Sequence, residues 1–156
     1  MTKRCNRIGD TVLCIPVSSK DVPTPMKLTT IKQTVFIDAT PEEIYDALID
    51  AKKHADVTGS KATSQQRVGG KFTAWDGYIS GKHLLLERGK KVVQEWKTTE
   101  WPEGYPPSKL EFTLREKRGG TELALLQTNV PAEQAASYEQ GWKDFYWDPM
   151  KEYFKK

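Results

Sequence analysis

The stretch that decides the fold is Pro131–Phe154, PAEQAASYEQGWKDFYWDPMKEYF, near the end of a 156-residue chain. Tyr138, Trp142, Tyr146, Pro149 and Tyr153 recur at spacings of four, four, three and four, with Phe145 beside them. At about 100° per residue these positions form one apolar stripe of an α-helix. Gln140, Lys143, Asp144 and Lys151 fall off the stripe, as a single wet face requires. At the same pitch Trp147 and Phe154 lie roughly 120–140° away, with Met150 between them. This second strip, Trp147, Met150 and Phe154, either covers outer strands or forms a partner surface. So aromatic a helix needs a large concave surface to lie on.

The preceding segments predict that surface. Residues 30–37 read as a half-buried strand, with Ile31, Val35 and Ile37 alternating with Lys32 and Thr34. Thr40-Pro41-Glu42-Glu43 is a helix start: Thr40 caps, Pro41 suits the first helical position, and Glu43 reaches back to the cap. Ile44, Tyr45 and Leu48 give this helix its buried face, and a second short helix over 51–57 ends at Thr58-Gly59. A meander follows, with strands over 62–67, 71–75, 78–87 and 91–98. Asp76-Gly77 is a hairpin turn, and Gly81 inside the third of these strands predicts a bulge. A Pro- and Gly-rich loop over 99–108 carries Trp101 and Tyr105. Residues 109–117 and 121–129 form the clearest hairpin, with Leu110, Phe112 and Leu114 on one face and Leu123, Leu125 and Gln127 on another. The order predicts an α+β domain over 28–156: an antiparallel sheet of six to seven strands wrapped around the C-terminal helix.

Residues 1–27 read as a flexible leader broken by Pro16, Pro23 and Pro25, with a candidate edge strand over 12–17. Met26, just before the first convincing strand, is a candidate start codon. The net charge of +3 sits in this leader, which carries five basic residues against two acidic ones, leaving 19 of each in the domain. A neutral domain is not a nucleic-acid binder, which concentrates positive charge on its folded face. No apolar run approaches the roughly 18 residues of a membrane span, and Cys5 and Cys14 read as free thiols of a cytoplasmic protein.

Six segments carry a resemblance. They are Val57-Thr58-Gly59-Ser60, Arg67 to Phe72 (RVGGKF), Asp76 to Gly81 (DGYISG), Val93 to Trp96 (VQEW), Glu100 to Tyr105 (EWPEGY) and Gly141-Trp142 through Pro149. In this order and spacing over residues 30–154 the chain resembles the activator of heat-shock-protein-ninety ATPase homologue family, a branch of the START-like (SRPBCC) superfamily. The resemblance implies the helix-grip fold, often with an apolar cavity between sheet and helix. It also implies a heat-shock chaperone as a partner, since eukaryotic members bind the chaperone and speed its ATPase. Those members use an additional N-terminal domain. The leader here is too short to be one and lacks its asparagine- and tryptophan-rich motif, so the chain resembles the stand-alone form.

No catalytic, metal-binding or cofactor-binding constellation stands out. His54, among Lys52, Lys53 and Asp56, reads as a solvated surface residue. His83 lies mid-strand with no cysteine or second histidine near it, so no metal site is expected. If Trp96 faces inward, so do Val92 and Gln94, which leaves amides such as Gln94 and Gln127 as the polar groups of a cavity. Amides orient ligands but are poor proton shuttles. The expected cavity is therefore non-catalytic and suited to a small apolar ligand. Phe72 and Ala74 would line it from one strand, Trp96 and Phe112 from two later ones, Leu125 from the last strand, and Trp142 and Tyr146 from the helix. Trp101 would stand at its mouth. Each of these aromatics has plain core packing as its competing reading.

Deleting residues 1–25 should leave the urea unfolding midpoint nearly unchanged, because Pro-broken chain ends seldom contribute to a core. A marked fall would place 12–17 in the domain's own sheet.

Overall fold

The computed structural model describes residues 3–8, 11–16 and 27–155, the first two segments as backbone alone. Those two, β1 (Lys3–Ile8) and β2 (Thr11–Pro16), pair with each other in a two-stranded ribbon and not with the main sheet. The candidate start at Met26 lies outside the described residues. The domain follows in the order β3 (Leu28–Ile37), α1 (Pro41–Ile49), α2 (Ala51–Thr58), β4 (Thr63–Ser64), β5 (Lys71–Ala74), β6 (Ile79–Glu87), β7 (Lys91–Thr98), β8 (Ser108–Lys117) and β9 (Gly120–Pro131). The C-terminal helix then runs as α3 (Ala135–Trp142), a π-helical turn (Lys143–Trp147) and α4 (Asp148–Tyr153).

The sheet is antiparallel in the order β3-β9-β8-β7-β6-β5-β4. Pairing β3 with β9 sets the domain's first and last strands side by side, and α1 and α2 turn the chain across to the far edge at β4. Along β8 and β9 the expected alternation holds: Leu110 faces Gln127, Phe112 faces Leu125 and Leu114 faces Leu123, all buried. Val92, Gln94 and Trp96 of β7 are buried on the same side, and the C-terminal helix lies in the concavity. This is the helix-grip arrangement that the resemblance implies.

Local chemistry fixes the elements. Thr40 Oγ1 accepts from the Glu43 amide at 3.1 Å, and Glu43 closes back on the Thr40 hydroxyl (3.2 Å) rather than on a backbone amide. Asp50 caps α2 by accepting from the Lys53 amide at 3.0 Å, and Gly59 ends that helix at φ 76°. The strand expected over 62–67 is only two residues long. Gly81 is not a bulge; it pairs with both Phe72 and Trp96, and the register shift falls between His83 and Leu85. Glycine is required there by close approach. A Cβ would overlap the Glu95 carbonyl oxygen and sit 2.7 Å from the Phe72 ring.

The helix departs from the sequence reading in start and phase. Pro131 ends β9, so the helix begins four residues later, at Ala135. After Trp142 one wider turn intervenes, in which the Asp148 amide donates to the Lys143 carbonyl, five residues back. Pro149 accounts for it. A proline supplies no N–H and crowds the carbonyl four residues back, here that of Phe145. The extra residue per turn rotates everything beyond it. Tyr138, Trp142 and Tyr146 stay buried as expected, but Trp147 (3% exposed) and Met150 (1%) turn inward, while Phe145 (54%) and Tyr153 (47%) turn out. The expected partner surface of Trp147, Met150 and Phe154 is therefore corrected: the first two are core and Phe154 is half-buried against it.

Replacing Trp142 by Ala should cost about 3–5 kcal/mol in denaturant unfolding, as large aromatic truncations do. A loss below about 1 kcal/mol would contradict the docking of the helix.

Candidate functional site

Three spaces lie between helix and sheet: the interior, an outer cleft, and a groove of about 500 Å³ between β3 and the helix, lined by polar residues such as Gln33, Lys143 and Asp144. The first two hold expected cavity residues and are the candidates. The interior is nearly full. Phe72, Gln94, Trp96, Phe112, Trp142 and Tyr146, six of the expected cavity residues, do converge, but on a space of only about 20 Å³. That holds about one water. Trp142 fills the middle, 5.6 Å from Trp96, 5.8 Å from Phe112, 4.8 Å from Tyr146 and 5.7 Å from Trp147, between ring centroids. Ala74, Leu125 and Gln127 are buried in the surrounding core rather than on this space. Trp101 packs on Trp96 and Tyr138, and its indole N–H donates to the Pro106 carbonyl at 2.9 Å.

The amides are already engaged. Gln127 accepts the Trp142 indole N–H at 3.0 Å and donates to Ser108 Oγ at 3.0 Å, and Ser108 donates to the Trp96 carbonyl at 2.7 Å. Gln94 donates to His83 Nδ1 at 3.2 Å, which leaves the ring proton on Nε2 facing Ser64 Oγ at 3.1 Å. Among the described residues no buried side-chain polar atom lacks a partner.

His54 is corrected from a solvated residue to a half-buried one. α2 directs it inward, where Nε2 lies 3.1 Å from the Tyr146 hydroxyl and the rings meet edge-on at 5.4 Å. Burial holds its pKa below the ordinary 6.5, with the Leu48 and Ala47 carbonyls acting weakly against it. Burial also lowers that of His83 and raises the Tyr146 phenol. No three His, Cys, Asp or Glu side chains converge among the described residues.

The outer cleft has a volume of about 510 Å³. One wall is the β5–β6 turn, with Trp75 and Tyr78; the other is the helix, with Ser137, Gly141 and Phe145. Ile79, Trp96, Tyr138, Trp142 and Tyr146 form its floor, and Glu100 and Glu133 stand beside them. Trp75 and Asp76 both adopt left-handed backbone, φ 52° and 55°. In a bulky residue that costs about 1–2 kcal/mol. Contacts hold it there: the Asp76 amide donates to the Lys61 carbonyl at 2.9 Å, and the Trp75 ring packs edge-on against Phe145 at 5.3 Å and Tyr146 at 6.4 Å. The Tyr138 hydroxyl donates to Gln134 Oε1 and meets Thr98 Oγ1, each at 2.7 Å, and burial pushes its pKa up to about 12. Only Trp96, Trp142 and Tyr146 of the cleft were among the expected site residues. The available signal for the rest was a pair of aromatics flanking Asp76-Gly77, opposite a glycine in mid-helix.

The architecture makes the protein a START-like helix-grip domain. The family described as "Activator of Hsp90 ATPase homolog 1-like protein" matches residues 38–155, and the chain belongs to it. It is 31% identical over 142 residues to the human "Activator of 90 kDa heat shock protein ATPase homolog 1", covering 89% of this chain and 41% of that protein. It is 30% identical over 126 residues to the Dictyostelium discoideum "Activator of 90 kDa heat shock protein ATPase homolog", covering 80% and 33%. The chain thus spans less than half the length of either relative. Among solved structures it resembles "PFC0360w, an HSP90 activator from plasmodium falciparum", with a TM-score of 0.74, 25% identity, and coverage of 80% of this chain and 94% of that one.

The depressed histidines predict a pH dependence. In the unfolded chain His54 and His83 bind protons near 6.5, while burial keeps both neutral in the fold to lower pH. The unfolded state then binds more protons, so stability is full above about pH 7 and falls as pH drops toward about 5. Urea midpoints across that window should decline steadily; a flat profile would contradict the burial of both rings.

Proposed function

We propose that the chain is a non-enzymatic, co-chaperone-like interaction module that binds a heat-shock chaperone ATPase. The observation that carries this reading is the filled interior. With about 20 Å³ between helix and sheet, the domain offers its outer surface rather than an internal chamber. The names of the human, Dictyostelium and Plasmodium relatives support a 90 kDa heat-shock chaperone as the partner class. Satisfied amides support a non-catalytic role for the interior, since the polar side chains around that space already have hydrogen-bond partners.

The contact surface assigned here is the outward side of the C-terminal helix, where the π-helical turn leaves Phe145 and Tyr153 exposed. Exposed aromatics of this kind are the usual anchors of protein interfaces. One observation favours a second reading, that the domain holds a small apolar ligand. The outer cleft, at about 510 Å³, falls within the range of ligand pockets.

Calorimetric titration of the purified protein into a 90 kDa heat-shock chaperone, with ATP turnover followed in parallel, tests the first reading. Binding with raised turnover is expected. Phe145→Ser with Tyr153→Ser should weaken binding by about tenfold or more while the protein stays folded, the lost Trp75–Phe145 contact lowering the unfolding midpoint only modestly. Absence of binding by the unaltered protein would overturn the proposal.

A further inference from the structure

The outer cleft has a chemical bias beyond its apolar walls. Glu100 and Glu133 both line it, and no lysine, arginine or histidine does. Both residues are exposed, and neither carboxylate takes part in an ion pair among the described residues. The main-chain scaffold around them is tied down. Gln134 Nε2 donates to the Glu100 carbonyl at 2.7 Å, joining the start of α3 to the loop after β7, and the Thr99 amide donates to the Tyr78 carbonyl at 2.9 Å. The two acidic positions are therefore held beside the aromatic floor. Trp75, Trp96, Trp142, Tyr78 and Tyr138 add π systems, whose faces attract cations.

We propose that this cleft binds an apolar organic cation, an ammonium or guanidinium group carried on an acyl or aromatic body. The body lies on the floor of Ile79, Trp96 and Tyr138, between Tyr78 and the helix, and the charged head lies toward Glu100 and Glu133. The open rim lets the head keep part of its hydration, so the full cost of burying a charge does not arise. An anion of the same shape meets two carboxylates and no base. The inference rests on the second reading above, the cleft as a ligand site, and it adds the ligand's charge. It also differs from the expectation of a small apolar ligand held beside the amides Gln94 and Gln127; neither of those residues lines this cleft.

The test is calorimetric titration of the full chain with octyltrimethylammonium, 1-octanol and octyl sulfate at low ionic strength. The cation should bind about tenfold or more tighter than the alcohol, and the sulfate more weakly than either. Glu100→Gln with Glu133→Gln should bring cation and alcohol to within about threefold of each other. Gly141→Leu grows a side chain into the cleft from the helix, where a Cβ meets only the Phe145 ring at 3.7 Å. That variant should fold with a midpoint no lower than the unaltered protein's and lose the binding. Equal affinity for cation and alcohol in the unaltered protein overturns the charge assignment while leaving the ligand site. No binding of any of the three overturns both. Binding that persists in Gly141→Leu places the site elsewhere and overturns the proposal.

Discussion

The structure depends on one buried polar chain: Trp142 indole N–H to Gln127, Gln127 to Ser108, and Ser108 to the Trp96 carbonyl. It ties the C-terminal helix to β9, β8 and β7 in succession. Hydrophobic burial alone is non-directional and permits the helix to slide or rotate on a smooth apolar sheet. A buried indole N–H left without an acceptor costs on the order of 1–3 kcal/mol, so the helix has one favoured seat. With Trp142 so placed, Trp96, Phe112, Tyr146 and Trp147 close around it and the interior fills.

Filling the interior moves function outward. The two amides that appeared available for a ligand are committed to the indole and to His83. The open surfaces include the cleft against the β5–β6 turn and the outward side of the helix. Both owe their form to the helix's irregularities. Gly141 leaves room on the cleft wall, and the wider turn before Pro149 sends Phe145 outward and Trp147 inward. Trp147 then anchors that turn to the edge strand, donating to Gln33 Oε1 at 2.7 Å while Gln33 Nε2 reaches the Glu139 carbonyl at 2.8 Å.

The fold was legible because its signals are local and periodic. The alternation in β8 and β9, the cap at Thr40, and the spacing of Tyr138, Trp142 and Tyr146 each set one element and its buried face. What was not legible depends on phase, volume or tertiary partners. A pitch of 100° per residue misplaces Trp147, Met150, Phe145 and Tyr153, because Pro149 was counted as an apolar position rather than as a cause of unwinding. His54 looked solvated among charged neighbours, yet its ring follows α2 inward to Tyr146, a contact 92 residues away in sequence. Gly81 looked like a bulge, but its partner is a carbonyl on the next strand. No periodicity reports whether bulky rings fill a cavity, and so the expected site was the core.

The central claim, that the Trp142–Gln127 contact seats the helix and consumes the interior's polar capacity, is tested most directly by a double-mutant cycle in denaturant unfolding. The arms are Trp142→Phe, which keeps a ring but removes the N–H, and Gln127→Leu, which keeps the volume but removes the acceptor. The account predicts that each single change is costly and that the double variant recovers about 1 kcal/mol or more of their sum, because no buried group is then left unpaired. Strict additivity of the two losses would contradict it.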